Sequence, residues 1–357
     1  MKILVVADDR VTPEHFRLAL KPLQKDHHIQ IIELDQTQKW KNEEGLRSYE
    51  GSPAQILERI EDYDILLVHL APVPKSVIER GKKLKLIGVA RGGVVNVNVK
   101  AATERKIPVI NAPGRNSIAV AELTIALMIC LARKIVSCAI RVKENKLIKR
   151  REYYEGTELY GKTLGIIGLG RVGREVAKRA LALGMKVIAY DPYVRKQDAE
   201  RLGVKMVDKI EDIMSKADFV SLHAALTPQT RGLINKRLID LMKPTAFFIN
   251  TARAEIVDQD ALYQALKEGR IAGAALDLIE LFGYYPQTIV DFYEAYSRTK
   301  IPEDFITKLD NVIVTPHIGG QTRESWLRSV EILTEDIIRF LRGERPVNVV
   351  NPEVFAE

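Results

Sequence analysis

Short apolar runs alternate along the chain with longer segments whose apolar positions recur at helical spacing, and this alternation predicts repeated strand–helix units. In the first part the runs are 2–7 (KILVVA), 29–34 (IQIIEL), 64–69 (DILLVH), 84–90 (LKLIGVA) and 107–112 (IPVINA), which predict five strands of a parallel α/β sheet. Six more follow at 163–168, 186–191, 219–224, 246–252, 273–279 and 312–317. The fold class is therefore α/β, with two doubly wound parallel-sheet domains. Between the two sets, Ser117 to about Arg150 predicts one long connecting helix, apolar at first (Val120, Leu123, Leu127, Leu131) and then increasingly charged. A final helix, roughly Glu324 to Arg342, has no place in a finished six-strand domain. It is expected to cross back to the first domain and so create a two-segment hinge with the active site in the cleft. Residues 281–304 fit neither pattern and are rich in aromatics.

The stretch 163–191, TLGIIGLGRVGREVAKRALALGMKVIAYD, combines a strand, a glycine turn, a helix, a second strand and a terminal acid. Gly168, Gly170 and Gly173 have the G-x-G-x-x-G spacing, in which the glycines permit a tight turn, close approach of a pyrophosphate and close helix–strand packing. The first-turn N–H groups of the helix and its dipole favour that phosphate. Asp191, at the end of the next strand, can accept hydrogen bonds from a ribose diol and repels a 2′-phosphate, so the expected cofactor is NAD rather than NADP.

At 357 residues the chain is long enough for two domains, and 46% hydrophobic with 28% charged residues is the composition of a soluble globular protein. Its net charge of +7 is dispersed. The densest basic group, Lys146, Lys149, Arg150 and Arg151, falls where the long helix is expected to end and lacks aromatic interleaving, so it reads as a solvated helix terminus and no nucleic-acid partner is expected. Cys130 and Cys138 fall in the one predicted helix, about 12 Å apart along its axis, too far to bond. A reduced, cytoplasmic protein is expected. MKILVVADD is too short an apolar start for a signal peptide, and Ile118–Ala132 is interrupted by Glu122 and shorter than a membrane span, so no membrane partner is expected. No metal is expected either.

The chain resembles the NAD-dependent D-2-hydroxyacid dehydrogenases, the family of D-3-phosphoglycerate, D-lactate and glyoxylate reducing enzymes, nearly end to end. The resemblance is carried by RGGVVNVNVKAATERKIPVINAPGRNSIAVAELTIALM at 91–128, LYGKTLGIIGLGRVG at 159–173, VSLHAALTPQTRGLIN at 220–235, MKPTAFFINTARAEIVD at 242–258, GAALDL at 273–278, LDNVIVTPHIGGQT at 309–322 and PVNVVNPEV at 346–354. It implies a Rossmann NAD domain, 112–317, inserted into a flavodoxin-like substrate domain made of 1–111 and 318–357. It also implies interconversion of a D-2-hydroxy acid and its 2-oxo acid, and a homodimer through the nucleotide domain. The alternative is an NAD(H)-sensing regulator on the same fold, like the family's corepressors.

Hydride transfer to a carbonyl carbon needs a group to exchange the hydroxyl proton and a cation to hold the substrate carboxylate. His317, in TPHIGG, and Arg253, in INTAR, end strands on the edge where doubly wound sheets place ligands, and they are the catalytic candidates. The resemblance assigns Asp277 to the nicotinamide side of the cofactor, and Arg171, Val172, Thr251, Ala252 and Gly320 to the cofactor as well. His223 is read as lining the cofactor cleft or as structural, and Glu122 as positioning the connecting helix. Arg91, Gly92 and Gly93 form the loop expected to hold the substrate, its two glycines permitting an anion-binding backbone nest. That loop is one residue shorter than the G-R-A-G-V-G-V-D type of phosphoglycerate enzymes, which counts against phosphoglycerate. Family members carry a Glu-Pro pair five residues after the Asp of the ALD motif, where the Glu holds the imidazole. Here Phe282 and Gly283 occupy those positions, leaving Glu280 as first candidate, Glu294 as second, or neither. The aromatic stretch, with Phe282, Tyr284, Tyr285, Phe292, Tyr293 and Tyr296, is expected to cover the cleft mouth.

Overall fold

The computed structural model describes residues 1–281, 297 and 306–356. Glu294 and the six aromatics of the 281–304 stretch lie outside them, so the expected cover and its acid have no structural account. The described residues form two compact units, 1–116 with 322–357, and 117–321. Both boundaries fall a few residues beyond the 111/112 and 317/318 of the sequence reading. Residues 112–116 stay with the first unit through Arg115, which donates to Ser325 Oγ (3.2 Å), and the second unit begins with the helix Ser117–Ala132. At the other boundary Thr322 N-caps the C-terminal helix Arg323–Leu341 by accepting from the Ser325 N–H.

The first unit is built on β1 (Lys2–Ala7), β2 (His28–Glu33), β3 (Ile65–Val68), β4 (Leu86–Val89) and β5 (Val109–Asn111), all parallel, in the order β2-β1-β3-β4-β5. That is the flavodoxin-like order, with its switch point between β1 and β3. Alternation along each strand supplies both faces: Leu4, Val6, Leu66 and Val68 enter one buried cluster, and Ile3, Val5, Ile65 and Leu67 the other. The second cluster is closed by Val330, Leu333 and Ile337 of the C-terminal helix, at spacings that share one helical face. The helix thus returns to the first unit, as the strand count required.

The second unit holds β6 (Thr163–Ile167), β7 (Lys186–Tyr190), β8 (Lys205–Met206), β9 (Phe219–Leu222), β10 (Phe247–Asn250), β11 (Gly273–Leu276) and β12 (Val312–Val314). They are parallel in the order β12-β11-β10-β9-β6-β7-β8, the Rossmann order extended by one strand. The strand beyond the expected six is β8. Its two residues pair with Ile188 and Ala189 at the sheet edge and are too short to show an apolar run.

The single long connecting helix is not formed. Ser117–Ala132 and Ile135–Lys143 are separate helices bent by 66° at Lys134, whose φ of 54° is left-handed. Lys134 is held there by its ammonium, which donates to the Tyr153 carbonyl at 2.6 Å. The first helix is buried on most sides, whereas none of the second is buried. Cys130 and Cys138 therefore sit on different helices, both as free thiols. The basic group 146–151 lies beyond the end of the second helix, so it does not cap a long one. Among the described residues no single helix is long and apolar enough to cross a membrane; the bent pair passes by length and composition only when taken together.

Candidate active site

β6 delivers the glycine turn to the carboxyl edge of the second sheet. Gly168 has φ +94°, and a Cβ there would lie 2.7 Å from the Ala224 nitrogen and 2.8 Å from the His223 carbonyl carbon. A Cβ on Gly173 would collide with the Gly168 carbonyl oxygen, so helix Arg171–Ala182 reaches the strand only because both residues are glycine. Gly170 differs: it N-caps that helix at φ −75°, and nothing stands within 4 Å of the position its Cβ would take. This open cradle, beside the first-turn residues Arg171, Val172 and Gly173, fits a dinucleotide pyrophosphate. Asp191 follows β7 and ties the turn down, accepting from Leu169 N–H through Oδ2 (2.8 Å) and from Tyr193 N–H through Oδ1 (2.9 Å). Each oxygen keeps a second lone pair for a ribose hydroxyl. Next to the turn, the half-buried His223 ring shares a hydrogen bond with Ser221 Oγ at 2.8 Å. Burial pushes its pKa down to about 3, so the ring is neutral.

Three neighbouring strands end in register, Asn250 beside Leu276 and Leu276 beside Val314, and each is followed by a chemical group. After β10, Asn250 accepts from Ala252 N–H and donates to the Arg253 carbonyl, fixing a tight corner. Arg253 is exposed there; its guanidinium donates to the Ala252 carbonyl at 2.7 Å and makes no salt bridge among the described residues. Thr251 is buried. Thr124 Oγ1 donates to the Val120 carbonyl, so in the 2.9 Å pair between the two threonines Thr251 is the donor. Thr251 thereby anchors the corner to helix Ser117–Ala132.

After β11, Asp277 is 1% exposed and turns its carboxylate to the loop behind β12. Oδ1 accepts from Thr315 Oγ1 (2.6 Å) and Ile318 N–H (2.9 Å), and Oδ2 accepts from Gly319 N–H (2.8 Å). Burial raises its pKa against these bonds and the charge of Arg253. Within the loop, His317 takes φ +56°, its N–H donating to the Asp277 carbonyl at 2.9 Å. A Cβ on Gly319 would lie 2.8 Å from Asp277 Oδ2, so glycine is needed there, one residue before the Gly320 singled out from sequence. Asp277 is thus already engaged in shaping the histidine loop. Thr315, Gly319 and Asn250 escaped the sequence reading because their roles are hydrogen bonds and spaces internal to the corners.

Glu280 is half-buried, with its main chain held on both sides by the Gln259 side chain. Among the described residues its carboxylate makes no hydrogen bond or salt bridge. Glu122 meets Arg179 at 3.1 Å, linking helix Ser117–Ala132 to helix Arg171–Ala182. A cavity of about 970 Å³ in this unit is lined by Phe219, Asn311 and Val312 at the amino ends of the strands, opposite Arg253 and His317. Among the described residues no group of three or more metal-ligating side chains could hold a metal ion.

In the first unit, Arg91, Gly92 and Gly93 follow β4. Arg91 donates to the Ser48 carbonyl at 2.7 Å. Neither glycine has a positive φ, so the alternating left-handed backbone of an anion nest is not present, although the space around Gly93 is open.

A glycine-cradled turn on a Rossmann-ordered sheet, with an arginine and a histidine two strands apart on its carboxyl edge, defines a nucleotide-binding α/β protein. Residues 125–319 match the family described as "D-isomer specific 2-hydroxyacid dehydrogenase, NAD binding domain", and the chain belongs to that family. It is 46% identical over 299 residues to D-3-phosphoglycerate dehydrogenase of Methanocaldococcus jannaschii, which covers 83% of this chain and 53% of that protein. It is 39% identical over 303 residues to glyoxylate reductase of Korarchaeum cryptofilum, covering 84% of this chain and 86% of the reductase. The chain spans about half the length of the D-3-phosphoglycerate dehydrogenases it matches. Its fold is similar to the NAD-complexed D-isomer specific 2-hydroxyacid dehydrogenase of Lactobacillus delbrueckii ssp. bulgaricus, with a TM-score of 0.78 and 28% identity over 98% of this chain and 100% of the other.

Proposed function

We propose that this protein is an NAD-dependent dehydrogenase that interconverts a D-2-hydroxy acid and its 2-oxo acid. The observation that carries the reading is the Asp277 clamp, which holds His317 in a left-handed conformation on the strand end next but one to Arg253. When bound, NAD(H) accepts or supplies the hydride at the substrate carbon. His317 moves the other proton: its imidazole donates to the carbonyl oxygen during reduction and takes the proton back from the hydroxyl during oxidation. Arg253, already exposed, pairs with the substrate carboxylate through two parallel N–H bonds and polarises the adjacent carbonyl. Gly170 leaves room for the pyrophosphate, and the Asp191 carboxylate selects NAD by repelling a 2′-phosphate. The regulator alternative is not favoured, since the relatives are named as dehydrogenases and reductases.

The domain of residues 1–111 and 318–357 is read as the substrate domain and 112–317 as the NAD domain. A cytoplasmic homodimer completes the proposal. It is supported by the two free thiols and by the exposed apolar side chains Ile135, Ile140, Val142 and Leu147 on and after the second connecting helix. Sedimentation equilibrium tests the dimer. Steady-state kinetics test the chemistry: His317→Ala is expected to lower kcat by roughly 10²-fold or more with NADH affinity retained, and Arg253→Ala to raise KM for the 2-oxo acid as well. Full activity of His317→Ala across a pH series removes the imidazole from the mechanism.

A further inference from the structure

One face of helix Ser117–Ala132 meets both corners that carry the proposed catalytic groups. Val120, Leu123 and Thr124 are spaced by three and four residues, so they lie on the same side of that helix. A Cβ on Gly319 would lie 3.5 Å from Val120 Cγ2 and 3.6 Å from Leu123 Cδ2, which are packing distances, so these two side chains back the loop that carries His317. Thr124 meets the other corner. Its Oγ1 stands 2.9 Å from Oγ1 of Thr251, two residues before Arg253.

The two corners are held to the helix in different ways. The His317 loop is clamped by the Asp277 carboxylate and rests on the Val120 and Leu123 methyl groups. The Arg253 corner is shaped from within by Asn250, which accepts from Ala252 N–H (2.9 Å) and donates to the Arg253 carbonyl (3.0 Å). The threonine pair ties that shaped corner to the helix. Thr124 is fully buried and Thr251 is 7% exposed, so neither hydroxyl has water to replace a lost partner. Thr124 Oγ1 donates to the Val120 carbonyl at 2.8 Å and so presents a lone pair to Thr251. β-Branching restricts the rotation of both side chains, which makes the link stiff.

We infer that Thr124 is a positioning residue for the substrate carboxylate: its hydroxyl holds Thr251, and through it the Arg253 corner, in fixed relation to the His317 loop on one helix face. This rests on the dehydrogenase reading for the roles of Arg253 and His317. Because it is fully buried, Thr124 acts through Thr251 and not on the substrate itself. Guanidinium and imidazole must meet the carboxylate and the carbonyl of one small acid together, and a displacement on the order of 1 Å at such a site costs about 10²-fold in rate.

Thr124→Val keeps the side-chain shape and removes the acceptor, whereas Thr124→Ser keeps the acceptor. The test follows hydrogen exchange of the full, NADH-loaded chain by mass spectrometry, beside NADH oxidation by glyoxylate, pyruvate, hydroxypyruvate, phosphohydroxypyruvate and 2-oxoglutarate. In Thr124→Val the amides of 252–254 are expected to exchange about tenfold or more faster. KM for the 2-oxo acid is expected to rise about tenfold with a smaller fall in kcat, while NADH affinity and the shape of the pH–rate profile hold. Thr124→Ser is expected to stay within about twofold of the unmodified protein in each. Thr124→Val/Thr251→Val replaces both hydroxyls by apolar groups of the same shape, so its melting temperature is expected to recover while KM stays raised. Unchanged exchange at 252–254 in Thr124→Val overturns the inference, as does faster exchange with unchanged KM, or a KM that recovers with the melting temperature in the double variant. If exchange quickens in Thr124→Val alone but the unmodified protein oxidises NADH with none of the five acids, the hold of Thr124 on the corner stands and the dehydrogenase reading falls.

Discussion

The main-chain N–H of His317 donates to the carbonyl of Asp277 over 2.9 Å, while the Asp277 carboxylate holds the residues on either side of the histidine. One buried acid therefore sets the backbone of the proposed proton carrier. Asp277→Ala leaves two N–H groups and one hydroxyl without their acceptor, at about 1–3 kcal/mol for each group that stays buried. Reduced stability and a kcat loss of tenfold or more are expected together, and denaturant unfolding with single-turnover kinetics checks both. Native stability in Asp277→Ala would show that the clamp carries no energy.

The glycines of the turn separate folding from binding. Gly173→Ala drives a methyl into the Gly168 carbonyl and is expected to lower both stability and NADH affinity. Gly170→Ala meets open space and a φ that alanine adopts readily, so its unfolding midpoint should match the unmodified protein. Its NADH affinity is nevertheless expected to fall by about tenfold or more, because the methyl occupies the approach of the pyrophosphate. Unchanged NADH binding, measured by fluorescence titration, would place the cofactor elsewhere.

Much of this was legible in the sequence because parallel strands buried on both faces read as near-continuous apolar runs, as 3–7, 164–167 and 247–249 do. The positions of Arg253, Asp277 and His317 just past three strand ends follow from those runs. The break at Lys134 was not legible, since no glycine or proline marks it and a lysine occupies the left-handed position. The inward hydrogen bonds of Asp277 and Asp191 were hidden for a different reason: sequence shows a carboxylate at a strand end but not the N–H groups it faces.

His223 makes stability depend on pH. Its pKa of about 3 in the folded chain lies below the ordinary 6.5, so between those values the unfolded chain binds the extra proton and stability falls as pH falls. The slope from one such group approaches about 1.4 kcal/mol per pH unit inside that window. His223→Gln, compared with the unmodified protein by urea unfolding at several pH values, is expected to flatten the profile between about 3 and 6.5. Parallel profiles would show that His223 is not held neutral.

Cofactor choice is expected to depend on Asp191, whose carboxylate accepts from the Leu169 and Tyr193 N–H groups and would repel a 2′-phosphate. A preference for NADH over NADPH of about tenfold or more in kcat/KM is expected, with Asp191→Ala narrowing it. Equal kcat/KM values in the unmodified protein would contradict this.

The central claim is that Arg253 and His317 complete a hydride-transfer site for 2-oxo acids, and single-turnover oxidation of bound NADH tests it most directly. NADH-loaded protein is mixed rapidly with a panel of 2-oxo acids, and loss of NADH fluorescence is followed together with the handedness of the hydroxy acid formed. The account predicts one NADH oxidised per site by at least one member of the panel, a D-hydroxy acid as product, and a rate slowed roughly 10²-fold or more in His317→Ala. Tight NADH binding with no oxidation by any 2-oxo acid, or a product of L configuration, would contradict it.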